Sequence, residues 1–114
     1  MRVSKYGSYE SLNINPRAIC YIMEEGFKCT TVFGNNASLE LSYSGMKPLL
    51  NEFPRAYSYD FGCGVYMNPN QIIAVESGGF YKITFANGIT LKELSGADCD
   101  RIKVLQDLEN DMGM

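Results

Sequence analysis

Histidine and tryptophan are both absent from this 114-residue chain. The first absence removes the side chain that most often serves as a general acid or base near neutral pH. No nucleophile elbow and no glycine-rich phosphate loop take its place. The chain is therefore expected not to be an enzyme and to need no cofactor. Its four cysteines, Cys20, Cys29, Cys63 and Cys99, are widely spaced, and none forms a CxxC pair. Without histidine, a structural zinc site would need all four thiolates to converge, and the spacing gives no reason for that. No metal is expected, and the thiols read as reduced and mostly buried. Cys20 and Cys29 could face each other across adjacent strands, although a cytoplasmic address argues against a stable disulfide. No apolar run approaches the ~18 residues of a membrane span. The N-terminus lacks the charged-then-apolar pattern of a signal peptide, so the expectation is a cytoplasmic protein with no membrane partner.

An excess of positive charge is also missing. The net charge is −3, and its distribution is uneven. Residues 1–96 carry eight basic and eight acidic side chains, whereas residues 97–114 carry two basic and five acidic ones. The body of the chain is neutral, far from the strongly basic profile of a typical DNA binder.

What the chain does have is an internal repeat. Leu12-Asn13-Ile14-Asn15-Pro16-Arg17-Ala18-Ile19 returns as Val65-Tyr66-Met67-Asn68-Pro69-Asn70-Gln71-Ile72. Each copy alternates apolar and polar residues into Asn-Pro, with an apolar residue three positions after the proline. The likeness continues beyond the motif, at an offset of 53 and then 52. It defines repeats at approximately 12–53 and 65–108 within a single domain, 1–114.

In the first repeat, residues 18–23 form an apolar run short enough for a buried strand. Glu24-Glu25-Gly26 turns the chain, 27–33 returns, and Gly34-Asn35-Asn36 suits a tight hairpin into 37–42. Ser44 then caps a short helix over 46–53, with Pro48 in its first turn. The second repeat follows the same plan through 72–76, 80–85, the Asn87-Gly88 turn and 89–91. A helix opens with Ser95 and Asp98 and presents Ile102, Leu105 and Leu108 on one face. Fourteen residues are Tyr or Phe, which suits strands. The fold class is mainly β, bordering on α+β: an internally duplicated sandwich or barrel-like domain with two short helices.

Glu24/Glu25 and Asp98/Asp100 read as a charged turn and a helix first turn rather than a metal or acid/base site. Asn15 and Asn68 each suit a turn in which the side chain bonds a nearby backbone N–H. Arg55 to Gly64, rich in aromatics and glycine, has no counterpart that aligns between Met1 and Ser11. Function is therefore expected in this loop.

From here the chain resembles the LytTR family of DNA-binding domains, output modules of bacterial response regulators. The matching pieces are Ile19-Cys20-Tyr21-Ile22-Met23-Glu24, Phe53-Pro54-Arg55-Ala56-Tyr57-Ser58, Met67-Asn68-Pro69-Asn70-Gln71-Ile72 and Thr84-Phe85-Ala86-Asn87-Gly88. The resemblance spans roughly residues 12–108 through short motifs. Tyr57 stands where the family has its DNA-contacting histidine, the second arginine of that signature is missing, and Asp60-Phe61-Gly62-Cys63-Gly64 is extra. The family's basic C-terminal contact falls in a region that is acidic here.

The resemblance implies a small bacterial regulator that binds DNA to control transcript levels, for instance of a mobile element or operon; exposed tyrosines would instead suit stacking on RNA. Arg55, Tyr57, Tyr59 and Asn68 would meet the nucleic acid, with Arg17, Lys82 and Arg101 as flanking charges. The alternative is a protein-binding module or anti-regulator of phage or plasmid origin, whose loop 55–64 takes a protein partner. A homodimer through exposed strand edges is compatible with both.

Overall fold

The computed structural model describes residues 1–77, 81–94, 102 and 104. Among these residues ten strands run in chain order: β1 (Arg2–Ser4), β2 (Ser11–Asn13), β3 (Ile19–Glu25), β4 (Lys28–Phe33), β5 (Ser38–Ser42), β6 (Arg55–Ser58), β7 (Cys63–Met67), β8 (Ile72–Ser77), β9 (Tyr81–Phe85) and β10 (Thr90–Leu94). One helix, α1 (Tyr43–Leu50), follows β5, and short 3-10 turns at Pro16–Ala18 and Pro69–Gln71 precede β3 and β8. The strands form an antiparallel pair β1-β2, a five-stranded sheet ordered β5-β4-β3-β7-β6, and a three-stranded sheet ordered β10-β9-β8. The mainly β, internally duplicated architecture is the one the sequence implies.

Both Asn-Pro motifs are turns. The Asn15 and Asn68 side chains each accept an N–H two residues on, from Arg17 and Asn70, at 3.1 Å. Proline takes the first position of each 3-10 turn, where its missing N–H costs nothing. The N–H of Ile19 or Ile72 then donates to the proline carbonyl and releases the chain into β3 or β8.

Two sequence expectations need correction. The helix begins at Tyr43 rather than Met46, because β5 runs into it without a linker and Ser42 takes the extended cap position. Pro48 consequently lies inside the helix, and Ser44 bonds the Ser42 hydroxyl instead of capping. The stretch 55–64 is not a loop and does have a counterpart. It is largely the hairpin β6-β7, paired Arg55↔Tyr66, Ala56↔Val65 and Tyr57↔Gly64. The hairpin β1-β2 pairs Arg2↔Asn13, Val3↔Leu12 and Ser4↔Ser11. Every partner differs by 53, so the duplication extends back to the beginning of the chain.

The correspondence continues residue by residue. A bulge after Ile19 in β3 recurs after Ile72 in β8. Phe33 N–H donates to Ala37 O as Phe85 N–H does to Ile89 O, and Asn36 (φ 69°) and Gly88 (φ 87°) share the left-handed position of that turn. The unit is thus hairpin, 3-10 turn, three-stranded meander and helix. Ile102 and Val104 are helical, at the place α1 occupies in the first unit, and the rest of the second expected helix, with Arg101 and Cys99, lies outside the described residues.

Each unit has its own core from equivalent positions. Val3, Ile14, Ile19, Leu41 and Leu49 in the first correspond to Ala56, Met67, Ile72, Leu94 and Ile102 in the second. The units join where β7 adds to the free edge of β3, with Tyr21↔Met67, Ile22↔Tyr66 and Met23↔Val65 as partners. The second core also takes in Cys20, Tyr21 and Val32 from the first unit.

Candidate functional site on the second hairpin

Strand alternation sets the outer face of β6. Ala56 and Ser58 are buried, while Arg55 and Tyr57 point away from the core. The Arg55 side chain lies across Gly64 on the neighbouring strand, in space that a Cβ at residue 64 would occupy. Glycine there lets the guanidinium reach β3, where Nε donates to Glu24 Oε2 at 3.2 Å. Tyr66 donates its hydroxyl to the same carboxylate oxygen at 3.2 Å, and Arg55 stacks over the Tyr66 ring at 5.6 Å. Burial and the Glu24 carboxylate together push the Tyr66 phenol up from its ordinary range. A guanidinium has five donors, so the Glu24 contact leaves donors for a further acceptor. Arg55 is half exposed.

Tyr57 is 56% and Tyr59 70% exposed. Tyr59 opens the turn between β6 and β7, which closes with Gly62 (φ 64°) donating to Ser58 O at 2.8 Å. Phe61, also in that turn, folds back onto Tyr21 with ring centroids 5.9 Å apart, and Tyr21 in turn packs on Phe85 at 5.2 Å. The hairpin tip is anchored by an aromatic chain that reaches the second core.

The other sequence candidates are placed differently. Asn68 is 2% exposed and does not join Arg55 and Tyr57 on the outer face. Its amide donates to Ile19 O at 2.8 Å and Pro16 O at 3.3 Å, so it ties the second unit to the first from a buried position. Arg17 is exposed on the first 3-10 turn, and its carbonyl accepts from Gln71 Nε2 at 2.6 Å. Lys82 lies on β9, in a different sheet, and pairs with Glu76 at 3.8 Å. Arg101 falls outside the described residues.

The sequence reading overlooked the first hairpin. At the offset of 53, Arg2 and Tyr6 correspond to Arg55 and Tyr59, and Tyr6, Tyr9 and Phe27 are all exposed. With Lys5 and Gly7 they line an open depression. The signal was present, because the offset runs unbroken through β1 and β2, but only the backbone pairing reveals the hairpin behind it.

Among the described residues, no group of three or more metal-ligating side chains converges. Cys20 and Cys29 belong to different cores; Cys29 lies opposite Glu24 across β3 and β4. Burial raises the thiols of Cys20, Cys29 and Cys63, which makes poor nucleophiles of them. Compared with protein-family models, curated proteins and solved structures, the chain matches none.

Proposed function

We propose that this protein is a small nucleic-acid-binding regulator of LytTR type, engaging DNA or RNA with the outer face of its second hairpin. The observation that carries the reading is the joint outward presentation of Arg55 and Tyr57, four and six residues beyond Asn51 at the end of α1, with Tyr59 at the adjoining tip. Tyr57 occupies the position where the resembled family has its DNA-contacting histidine. An arginine with spare donors suits phosphate or guanine, and exposed tyrosines suit base stacking. The neutral body is consistent with few phosphate contacts, hence modest affinity and a shallow salt dependence.

Fluorescence anisotropy with randomised duplex DNA and with total RNA tests this. Binding at micromolar protein that weakens with salt is expected. Arg55→Ala should cost about 1–3 kcal/mol of binding while leaving the melting temperature near that of the parent. Tyr57→Ala should weaken an RNA complex more than a duplex one, because stacking needs unpaired bases. Absence of salt-sensitive binding to either nucleic acid sinks the proposal.

A second reading, a protein-binding regulator, is favoured by one feature of the same face. Glu24 already compensates Arg55, and the exposed Tyr57 and Tyr59 are aromatics of the kind that anchors protein interfaces. A single stoichiometric protein partner that survives nuclease treatment and is lost on Tyr59→Ala would select it.

A further inference from the structure

The joint between the two units uses one surface from each, and each surface has an equivalent that, among the described residues, is left open. The first unit contributes the edge of β3 and the side chains of Cys20, Tyr21 and Val32. The equivalent surface on the second unit is the edge of β8 with Ile73, Ala74 and Thr84. β3 has strand neighbours on both sides, whereas β8, among the described residues, has only β9. Cys20 is fully buried in the joint, yet its equivalent Ile73 is an isoleucine 63% exposed. In turn, the second unit contributes the outer edge of β7. Its equivalent, β2, has only β1 beside it among the described residues.

Asn68 sharpens the comparison. In the joint its backbone N–H donates to Cys20 O at 3.0 Å and its amide donates to Pro16 O and Ile19 O. Asn15, in the same turn of the first unit, has the same backbone angles and the same Oδ1 bond, but it is exposed. Among the described residues, nothing accepts from its backbone N–H or its Nδ2. Had the two units formed a closed two-fold pair, β2 would lie against β8 within the chain; instead the relation runs head to tail and, among the described residues, leaves the β8 surface open at one end and the β2 surface at the other.

We infer that the chain self-associates head to tail, β2 of one copy adding to β8 of the next in the register that β7 uses on β3. Shifting that register by 53 pairs Ala74, Val75 and Glu76 with Ile14, Asn13 and Leu12 of the second copy. Asn15 of that copy then donates its backbone N–H to Ile73 O and its amide to the carbonyls of Pro69 and Ile72. Ile73 becomes covered, and two exposed strand edges become ladders. The interface is heterologous, so addition continues to a ring or a filament rather than stopping at a two-fold dimer.

Sedimentation equilibrium on the full chain, from low micromolar to millimolar concentration, reads the outcome. The parent should show mass rising beyond the dimer with concentration. Ile73→Glu blocks the β8 surface at an exposed position. Asn13→Pro blocks the β2 edge, where the residue 13 N–H points away from β1 and a proline is tolerated. Each variant alone should remain monomeric with a native circular dichroism spectrum. Mixed, they should form a one-to-one dimer and nothing larger, since each supplies the surface the other lacks. A parent that stays monomeric throughout, a dimer indifferent to Ile73→Glu, or a mixture of folded variants that does not pair overturns the inference.

Discussion

At the scale of single residues, the repeat supplies its own controls. Thr31 and Ile83 occupy equivalent fully buried sites, yet the Thr31 hydroxyl has no hydrogen-bond partner among the described residues. A buried donor left unmade costs about 1–3 kcal/mol, and valine keeps the shape while removing it. Thr31→Val is therefore expected to raise the melting temperature, and a calorimetric scan decides. Cys29 gives a pH prediction. Burial, reinforced by Glu24 and Glu25, pushes its thiol up to about 11 from 9.0. The native state then holds this proton more tightly than the unfolded chain does. The associated stability is complete below pH about 9 and is lost as pH climbs towards about 11. Cys29→Val should flatten that part of the curve in melts taken across the alkaline range.

At the scale of elements, the sequence was most legible where local chemistry decides. Asn-Pro, Gly34-Asn35-Asn36 and Asn87-Gly88 encode their turns through side-chain bonds to neighbouring N–H groups and through positive φ, neither of which needs the rest of the fold. The meanders followed from alternation between those turns. Two things depended on distant contacts. The start of α1 is set by β5, and the hairpin character of 55–64 is set by Gly64 pairing with Tyr57 and by β3 on the far side of β7. Glycine-rich aromatic sequence reads as loop until a neighbouring strand is known. The same limit applied to the site. Exposure of Arg55 and Tyr57 followed from alternation once β6 was established, whereas burial of Asn68 required the first unit's carbonyls. Equivalence also predicts a substitution pattern. Gly88→Asn should cost only a few tenths of a kcal/mol, since Asn36 serves in the same turn, while Gly88→Val should cost about 1–2 kcal/mol. Urea titration of both variants measures the difference.

At the scale of the whole molecule, the two cores are not independent. The second closes over Cys20, Tyr21 and Val32, and β7 is the fourth strand of a sheet whose first three belong to the other unit. Neither half can open without exposing a shared ladder and Tyr21, whose ring packs against both Phe61 and Phe85. Thermal unfolding is expected as one transition, with the van't Hoff enthalpy equal to the calorimetric one. Two resolved transitions would mean the joint is weaker than either core.

The division of the cores has a direction. The first is built from residues no later than Leu50, with Phe53 and Tyr66 packed only at its margin. The second needs residues from both units, Cys20 to Ile102. During synthesis from the N-terminus, the earlier unit has its buried set in hand as soon as α1 leaves the ribosome. The later unit emerges to find the β3 edge already in place as a template. Duplication has thus given one chain both a scaffold and the part assembled upon it, with the order of manufacture written into which core borrows from which.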